Sequence, residues 1–415
     1  MHNVQERKYL MSSEKKKAPA SWEGLREQSN NCGDTLSPGS GKVKGKSEIF
    51  LKTFSKYALH DEAQRLVREL FPQGNNFTKC TVCPRSASVN VVRNATLQRA
   101  YFRQVVTCSN SFLCPVCAPR IRSKRSKEIG LAVDKWLSRS GTALERFLSN
   151  EPDKTLYMVT LTFQHSKRDK LSDIMPRFKK ATQWFWRHRM VRDSFRKAGI
   201  QGRITAFEIT HGVHGWHPHL HILVFCNVHY FDVPGFRRLW VDALNRAGLS
   251  GSAKCALNFI EARNGAEYIN KISLEIGLSN AKEGRAGGLS PFQLLEKSAS
   301  GDRASGKLFQ ELFLYMRDSR THSLEWSKGL KAFFGVSEVS DEEICAGLDE
   351  GFVSFACIAS GLYCRCTTED KAALLAFASM GDTASFKRYL SLVILREHLE
   401  LDFNDVKILP WRLTA

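Results

Sequence analysis

The stretch GWHPHLHILVF, residues 215–225, constrains the fold more than any other part of the sequence. Its apolar residues alternate with histidines, as side chains alternate between the two faces of a sheet along a β-strand. His217, His219 and His221 therefore lie on one face of the predicted strand. One histidine at such a position is usually a core residue with a hydrogen-bond partner. Three in register are typical of a metal site, because neutral imidazoles are common metal ligands.

The segments around this strand predict an antiparallel α+β domain. β-branched, aromatic and alternating residues indicate strands, and apolar residues with a helical period indicate helices. The predicted strands are 155–163, 203–210, 216–225 and 254–262, and the predicted helices are 171–198, 234–248 and 265–277. The order β-α-β-β-α-β-α favours a ferredoxin-like antiparallel sheet with the helices on one face.

Glu208 is the candidate for a further metal ligand. A hairpin that turns near residue 214 brings Glu208 opposite His219 or His221. A carboxylate among the ligands suits Mg²⁺ or Mn²⁺. The alternative is a solvent-facing strand residue without a ligand role. An open site of this kind in a basic protein favours the polarisation of a phosphodiester.

The charge balance indicates a polyanionic partner. The 415 residues contain 61 Lys and Arg against 42 Asp and Glu, which gives a net charge of +19. Such an excess favours nucleic acid before anionic membrane. The run RIRSKRSK, residues 120–127, predicts a DNA contact through four of its residues. These are Arg120, Arg122, Lys124 and Arg125.

The cysteines predict a zinc site. Cys80 and Cys83 form one CxxC pair, and Cys114 and Cys117 form another. Paired CxxC motifs in a reducing compartment are a zinc signature, and the expected ligands are these four thiolates. The spacing leaves open that Cys108 replaces one of them. The alternative is a set of scattered buried thiols.

The sequence predicts a cytoplasmic protein without a membrane segment. No apolar run reaches the roughly 18 residues that span a bilayer. The N-terminal residues are charged and lack the apolar region of a secretory signal. The twelve cysteines are therefore expected as reduced thiols or metal ligands.

The segment AEYINK, residues 266–271, supplies a candidate nucleophile. Tyr268 and Lys271 are three residues apart and so share one face of the predicted helix. A lysine at that position can stabilise a phenolate or bind a phosphate. Taken alone, a helical tyrosine is far more often a packing residue.

The motifs TLTF, HPHLH and EYINK, in this order and spacing, resemble the HUH endonucleases. The resemblance is to rolling-circle plasmid replication initiators with a single catalytic tyrosine. It covers roughly residues 105–336, because CSNSFLCPVCAPRI before these motifs and EWSKGLKAFFGV after them also look like that family.

The resemblance implies a metal-dependent endonuclease and strand transferase of the bacterial cytoplasm. His219 and His221 would be metal ligands, and Glu208 a plausible third. Tyr268 would attack a scissile phosphate in single-stranded origin DNA. The products would be a 5′-phosphotyrosine link and a free 3′-hydroxyl primer. Origin DNA, a host helicase and a host polymerase are the implied partners.

The sequence departs from the family at the residue that ends a replication round. Relatives place a carboxylate, which activates water, about one helical turn before the tyrosine, and here that position is Asn264. Glu267 is adjacent to Tyr268 but about 100° around the helix. Glu261 lies a turn further back. Glu267 is the candidate for the water-activating base.

Two other functions fit part of the sequence. A rolling-circle transposase or mobilisation relaxase is also an HUH enzyme, but many of these carry two tyrosines on one helix. No tyrosine follows Tyr268 within two turns, which favours an initiator. A non-enzymatic zinc-containing DNA-binding protein explains the charge and the CxxC pairs but leaves the three aligned histidines unexplained.

The predicted organisation has four parts. They are a disordered basic arm (1–50), a cysteine-rich zinc-binding and basic helical region (51–150), the HUH endonuclease domain (151–280), and a linker with a mainly helical C-terminal region (281–415).

Overall fold

A computed structural model describes residues 46–138, 153–262, 288–319, 321–347, 351–396 and 407–408. The predicted nucleophile Tyr268 and its neighbours Glu267 and Lys271 lie outside these residues, as do residues 1–45 of the predicted N-terminal arm; its last residues, 46–50, are helical. None of the described helices is both long and apolar enough to cross a membrane.

The described strands form two antiparallel sheets. The strands are β1 (Ser88–Asn94), β2 (Arg99–Arg103), β3 (Lys154–Leu161), β4 (Gly202–Gly212), β5 (Gly215–Asn227), β6 (Leu257–Glu261), β7 (Leu324–Trp326), β8 (Val353–Ala359) and β9 (Lys407–Ile408). One sheet has the order β6-β3-β5-β4-β7 and the other the order β2-β1-β8-β9.

The helices between and after these strands vary from one turn to seven. They are α1 (Lys46–Leu70), α2 (Asn76–Lys79), α3 (Cys117–Ser138), α4 (Leu171–Arg187), α5 (Arg189–Lys197), α6 (Val233–Arg246), α7 (Pro291–Ala299), α8 (Arg303–Ser319), α9 (Leu330–Phe333), α10 (Asp341–Ala346), α11 (Ser360–Arg365), α12 (Thr368–Met380) and α13 (Thr383–Arg396).

The five-stranded sheet has the predicted ferredoxin-like arrangement. β5 pairs antiparallel with β3 on one side and with β4 on the other. β3 and β4 therefore run parallel with β5 between them, which is the split β-α-β arrangement of that class. The prediction of an antiparallel α+β domain is confirmed. β7 extends the sheet beyond β4.

The hairpin of β4 and β5 sets the register of the candidate site. Its strands are joined at residues 213–214, and Glu208 pairs directly with His219. Gly215 has φ +89°, and a Cβ there would lie 2.6 Å from the carbonyl oxygen of Ser166. Glycine at this position therefore permits both the turn and the close packing of the loop after β3, which contains Ser166.

Helices cover both faces of this sheet. On one face, Ile222 and Val224 of β5 join a core with Phe178 of α4 and Trp240 of α6. On the other face, Leu223, Phe225 and their neighbours pack on helices as well. The helical side chains in that second core include Ile129, Val133 and Trp136 of α3 and Leu330 of α9.

The described helices that connect the strands of the predicted domain, α4 and α6, lie on one face, as predicted. The second face is covered by α3 and α9, which lie outside the predicted domain, because the apolar stripe of α3 needs a partner. His217, His219 and His221 alternate in phase with Leu223 and so belong to this second face.

The second sheet joins distant parts of the chain. β1, which follows the first CxxC pair, is paired with both β2 and β8. Val91 and Phe355 lie in one core with Tyr363, and the Tyr363 hydroxyl donates to the carbonyl oxygen of Thr81. The mainly helical C-terminal region thus contributes a strand to the sheet next to the cysteines.

Candidate functional site

The candidate metal site is the histidine cluster, defined as His217, His219, His221 and Glu208. The rings of His217 and His219 have centroids 4.2 Å apart, and those of His219 and His221 are parallel and 5.8 Å apart. Glu208 enters from the neighbouring strand β4. The structure therefore brings the three predicted metal ligands, and the third histidine, to one face of one hairpin.

The distance between Glu208 and His221 fits a shared metal ion. Oε2 of Glu208 lies 2.9 Å from Nε2 of His221. Adjacent ligands of an octahedral magnesium ion with bonds of about 2.1 Å are about 3.0 Å apart. Before a metal binds, Nε2–H of His221 can donate to this carboxylate. With a metal on Nε2, the proton has to be on Nδ1.

The second nitrogen of His221 faces a hydroxyl that accepts either tautomer. Oγ1 of Thr160, on β3, lies 3.2 Å from Nδ1. A hydroxyl can donate to an unprotonated Nδ1 or accept from a protonated one. Thr162 donates to the carbonyl oxygen of Pro218 at 3.1 Å. Both threonines of the TLTF motif therefore hold the histidine strand.

The environment of the cluster favours neutral imidazoles. Burial, together with the neighbouring histidines, lowers the pKa of His219 to about 3. Burial and His165 lower the pKa of His217 to about 4. Burial, the largest single effect, raises the pKa of Glu208, but the hydrogen bond from His221 and the charges of the three histidines together lower it below its usual value. A carboxylate beside neutral imidazoles is the protonation state that a metal requires.

His219 has an unused nitrogen. Its Nδ1 is buried and has no hydrogen-bond partner among the residues that the structure describes. Buried polar atoms usually have a partner, so an orphan of this kind suits a ligand that is not part of the chain. Imidazole and carboxylate groups of this kind bind divalent cations, but among the described residues only the cysteine group below brings three or more such ligand atoms within 4.8 Å of one another.

His165 joins the cluster without having been predicted. It follows β3, and its Nδ1–H donates to the carbonyl oxygen of His214 at 2.9 Å. Its Nε2 contacts Nδ1 of His217, and the two rings meet edge to face. No periodic pattern marks a loop histidine, so this contact could not be predicted from the sequence.

Four cysteines form a second candidate metal site. The sulfur of Cys80 lies 3.9 Å from that of Cys114 and 3.6 Å from that of Cys117, and Cys108 lies 3.8 Å from Cys117. A tetrahedral site with Zn–S bonds of about 2.3 Å has sulfurs about 3.8 Å apart. The four sulfurs all lie within 4.8 Å of one another. The cysteine site can therefore hold a metal ion.

The composition of this site differs from the two CxxC pairs. Cys108 is the fourth member, as the sequence left open, and Cys83 lies outside the group. Cys83 sits in the turn after α2, where its backbone nitrogen and oxygen bond to Lys79 and Val106. Cys83 therefore has the sequence spacing of a CxxC ligand, but it is not part of the group of four sulfurs.

Hydrogen bonds between the thiols lower three of their pKa values, those of Cys80, Cys114 and Cys117, and raise that of Cys108. The contact with Cys108 lowers the pKa of Cys80 to about 6 and that of Cys117 to about 5. Thiolates are the form that binds a metal. Gln64 holds the turn that carries Cys80 in place, because its side-chain amide donates to the carbonyl oxygens of Phe77, Thr78 and Cys80.

Three of the four basic residues predicted to contact DNA have other partners. Arg122 is buried and donates to the carbonyl oxygens of Ser111 and Phe112. Arg120 donates to carbonyl oxygens of residues 344, 345 and 347. Their guanidinium groups hold the cysteine region together.

Arg125 also serves the fold. It pairs with Glu128 and with Asp341 of α10. Lys124, by contrast, is exposed. The expectation that the whole run faces DNA is therefore corrected: the helical period of α3 turns Arg122 inward and leaves Lys124 outside.

Comparison with known proteins identifies the segment that carries the histidine cluster. Residues 99–242 match the family model described as "Replication protein". This part of the chain, about a third of its length, is similar to replication proteins and is called the replication-protein domain below. It includes β3, β4 and β5 with the whole histidine cluster, and it includes three of the four clustered cysteines. The domain match ends before Tyr268.

Two curated proteins are similar to the chain over different lengths. The chain is 28% identical over 323 residues to "Protein rep" of Streptomyces lividans, which covers 59% of this chain and 68% of that protein. It is 31% identical over 194 residues to the "Neomycin resistance protein" of Streptomyces cyanogenus, which covers 37% of this chain and 41% of that protein. No solved structure matches the chain significantly.

These findings confirm the resemblance to plasmid replication initiators. The replication-protein domain and the Streptomyces relative support a role in the initiation of plasmid replication.

Proposed function

We propose that the protein starts rolling-circle replication of a plasmid by cutting one strand of the origin DNA. The observation that carries this proposal is the convergence of Glu208, His219 and His221 on one sheet face of a replication-protein domain. The net charge of +19 supports DNA as the partner. The enzyme is then an HUH endonuclease and strand transferase.

Glu208, His219 and His221 would hold Mg²⁺ or Mn²⁺. A divalent ion bound there polarises a phosphodiester and neutralises charge that develops on its oxygens. Thr160 orients the His221 ring by its contact with Nδ1. Burial keeps the His219 imidazole neutral and therefore able to offer a lone pair.

Tyr268 is the proposed nucleophile. Its phenolic oxygen loses its proton and attacks the scissile phosphorus, while the bond from phosphorus to the 3′ oxygen breaks. The 3′ oxygen takes up a proton and becomes the primer hydroxyl, and the 5′ side stays on the tyrosine. Lys271 stabilises the phenolate. One ester bond replaces another, so the reaction needs no nucleotide hydrolysis.

The cysteine site would hold a structural zinc ion. Four thiolates leave no open position, which is the pattern of structural rather than catalytic zinc. The ion would join the turn at Cys80 to Cys117, the first residue of α3, and to Cys114 just before it. In this proposal it ties the segment around Cys80 to the first part of the replication-protein domain, which contains the other three ligands.

Host proteins and two further residues complete the proposed replication round. A host helicase and a host polymerase extend the 3′-hydroxyl primer. Glu267 activates the water that ends the round. Lys124 contacts the DNA backbone from the exposed face of α3.

The direct test is incubation with supercoiled plasmids that carry candidate origins, in Mg²⁺ or Mn²⁺. We expect a nick at one site, a free 3′ hydroxyl, and protein attached to the 5′ end through Tyr268. Site-specific binding without a nick under any metal would instead favour the non-enzymatic DNA-binding protein.

A further inference from the structure

The loop after β3 carries three cations beside the histidine cluster. This cationic loop, residues 164–170, has the sequence QHSKRDK. Lys167, Arg168 and Lys170 are exposed. None of the three forms an ion pair with another residue in the described part of the chain. Unpaired exposed cations at one place are available to an anionic partner.

The acidic residue of the loop does not neutralise these cations. The carboxylate of Asp169 accepts the backbone N–H of Ser166 at 2.6 Å, and the backbone N–H of Asp169 donates back to the Ser166 carbonyl at 3.1 Å. Asp169 therefore closes the turn of the loop. Its carboxylate accepts from a backbone N–H and pairs with none of the three cations, which face the solvent.

The start of the loop is fixed to the segment after α6, and its middle is fixed to the hairpin that bears the cluster. The backbone of Gln164 bonds to the carbonyl oxygen of Ser250 at 2.8 Å. His165 bonds to the His214 carbonyl and contacts His217. Ser166 packs so closely on Gly215 that a Cβ there would lie 2.6 Å from its oxygen.

The end of the loop is fixed as well. Where α4 begins, Glu311 of α8 accepts the backbone N–H of Leu171 at 3.0 Å, and it also accepts the indole N–H of Trp216 at 3.1 Å. Glu311 thereby ties the loop's exit to the first residues of β5. The loop is held at both ends and in the middle, so its cations keep a fixed place relative to the histidines.

From this placement we propose that the cationic loop binds the phosphate backbone of single-stranded DNA next to the phosphate that is cut. The inference rests on the proposed function, because it takes the histidine cluster as the place of cleavage. A preorganised loop lowers the entropic cost of binding, since its backbone is already ordered. Lys and Arg side chains from it reach phosphates without reading bases.

The test compares two variants that each remove three charges. In the loop variant, Lys167→Gln, Arg168→Gln and Lys170→Gln neutralise the loop. The probe is a fluorescent oligodeoxythymidylate of about 30 nucleotides, long enough for one binding site. Its affinity is measured by anisotropy at several KCl concentrations.

The matched control lies on the opposite face of the sheet. Lys179→Gln, Lys180→Gln and Arg187→Gln also remove two lysines and one arginine, all three exposed. They lie on α4, whose apolar side chains pack on the sheet face away from the histidines. Both variants should melt at the temperature of the wild type, because no described contact of these side chains is lost.

We expect the loop variant to bind at least about 10-fold more weakly at low salt, and the control variant within about 3-fold of the wild type. The salt slope of the loop variant should fall by about 2, since each lost phosphate contact removes about 0.7. Equal losses in the two variants would overturn the proposal, because the effect would then be one of net charge alone.

Nicking of the supercoiled plasmid separates this inference from the proposed function. A wild type that nicks, with a loop variant that binds the oligonucleotide normally, refutes the loop and leaves the function. A wild type that never nicks, with a loop variant that loses binding and salt slope, supports the loop and refutes the cleavage.

Discussion

The hydroxyl of Thr160 lies 3.2 Å from Nδ1 of His221, on the side of the imidazole away from Glu208. His221 is thereby held at both nitrogens, by β3 on one side and by β4 on the other. A hydrogen bond of this kind, from a group that does not itself bind the metal, fixes the orientation and tautomer of a metal-binding histidine. The TLTF motif thus has a physical role in the candidate metal site.

Thr160→Val should weaken metal binding by about 10- to 100-fold, as the loss of such a contact commonly does. Valine keeps the β-branched shape but removes the hydroxyl, while Thr160→Ser keeps the hydroxyl and serves as the control. Titration of Mn²⁺ followed by electron paramagnetic resonance measures the affinity. Equal affinities in the valine and serine variants would show that the hydroxyl does not orient His221.

Cys108→Ser should remove bound zinc and lower the melting temperature, whereas Cys83→Ser should do neither. The reason is that Cys108 supplies one sulfur of the tetrahedron and Cys83 lies outside it. Metal binding at such a site contributes directly to folding stability. Elemental analysis and thermal melting check the pair. Zinc loss from the Cys83→Ser protein, with retention by Cys108→Ser, would restore the two CxxC pairs as the ligand set.

Arg122→Gln should lower stability without changing DNA binding, and Lys124→Gln should change DNA binding without lowering stability. Arg122 is buried and donates to two carbonyl oxygens, so its loss should cost about 1–3 kcal/mol of stability. The salt dependence of DNA binding should stay unchanged. Lys124 is exposed, so its loss should leave stability unchanged and lower the salt slope slightly. Urea denaturation and anisotropy titrations distinguish the two. A stable Arg122→Gln protein with a reduced salt slope would contradict this assignment.

Sequence alone predicted much of the five-stranded sheet and of the histidine cluster. The alternation in residues 215–225 depends on local geometry, because successive strand residues face opposite sides. The same geometry, with a turn near 214, placed Glu208 opposite His219. Local patterns therefore sufficed wherever the partners lie on one hairpin.

Most of the failures involve partners that are distant along the chain. His165 contacts His217 through a loop, and no period connects the two. Cys108 replaces Cys83 because the turn after α2, rather than the spacing, decides which sulfur points inward. The pairing of β1 with β8 joins segments far apart in sequence, and local pattern carries no information about such a pair.

The stability of the metal-free protein should fall as the pH is lowered from about 6.5 toward 4. The pKa of His219 is lowered to about 3 by burial, while in the unfolded chain it is near 6.5. Between these values the unfolded state binds more protons, so acid favours unfolding. Above about 6.5 both states are neutral at this residue and the effect vanishes.

His219→Gln should reduce this pH dependence, because glutamine does not titrate. Urea denaturation in EDTA at several pH values measures it, with the exposed His214→Gln as the control. A His219→Gln protein that loses stability with acid as steeply as the wild type would show that other groups cause the dependence.

Tyr268→Phe should abolish the covalent DNA adduct and the nick while leaving origin binding within about 2-fold of the wild type, since only one hydroxyl is removed. The measurement is a denaturing gel of labelled origin DNA, run beside an anisotropy titration with the same DNA. Tyr230→Phe is the matched control, because Tyr230 is 90% exposed and has no role in the proposed chemistry. If the Tyr268→Phe protein still forms the adduct and the Tyr230→Phe protein does not, the attacking oxygen belongs to Tyr230. If both variants form it, the nucleophile is neither, and the assignment drawn from the EYINK motif has to be abandoned.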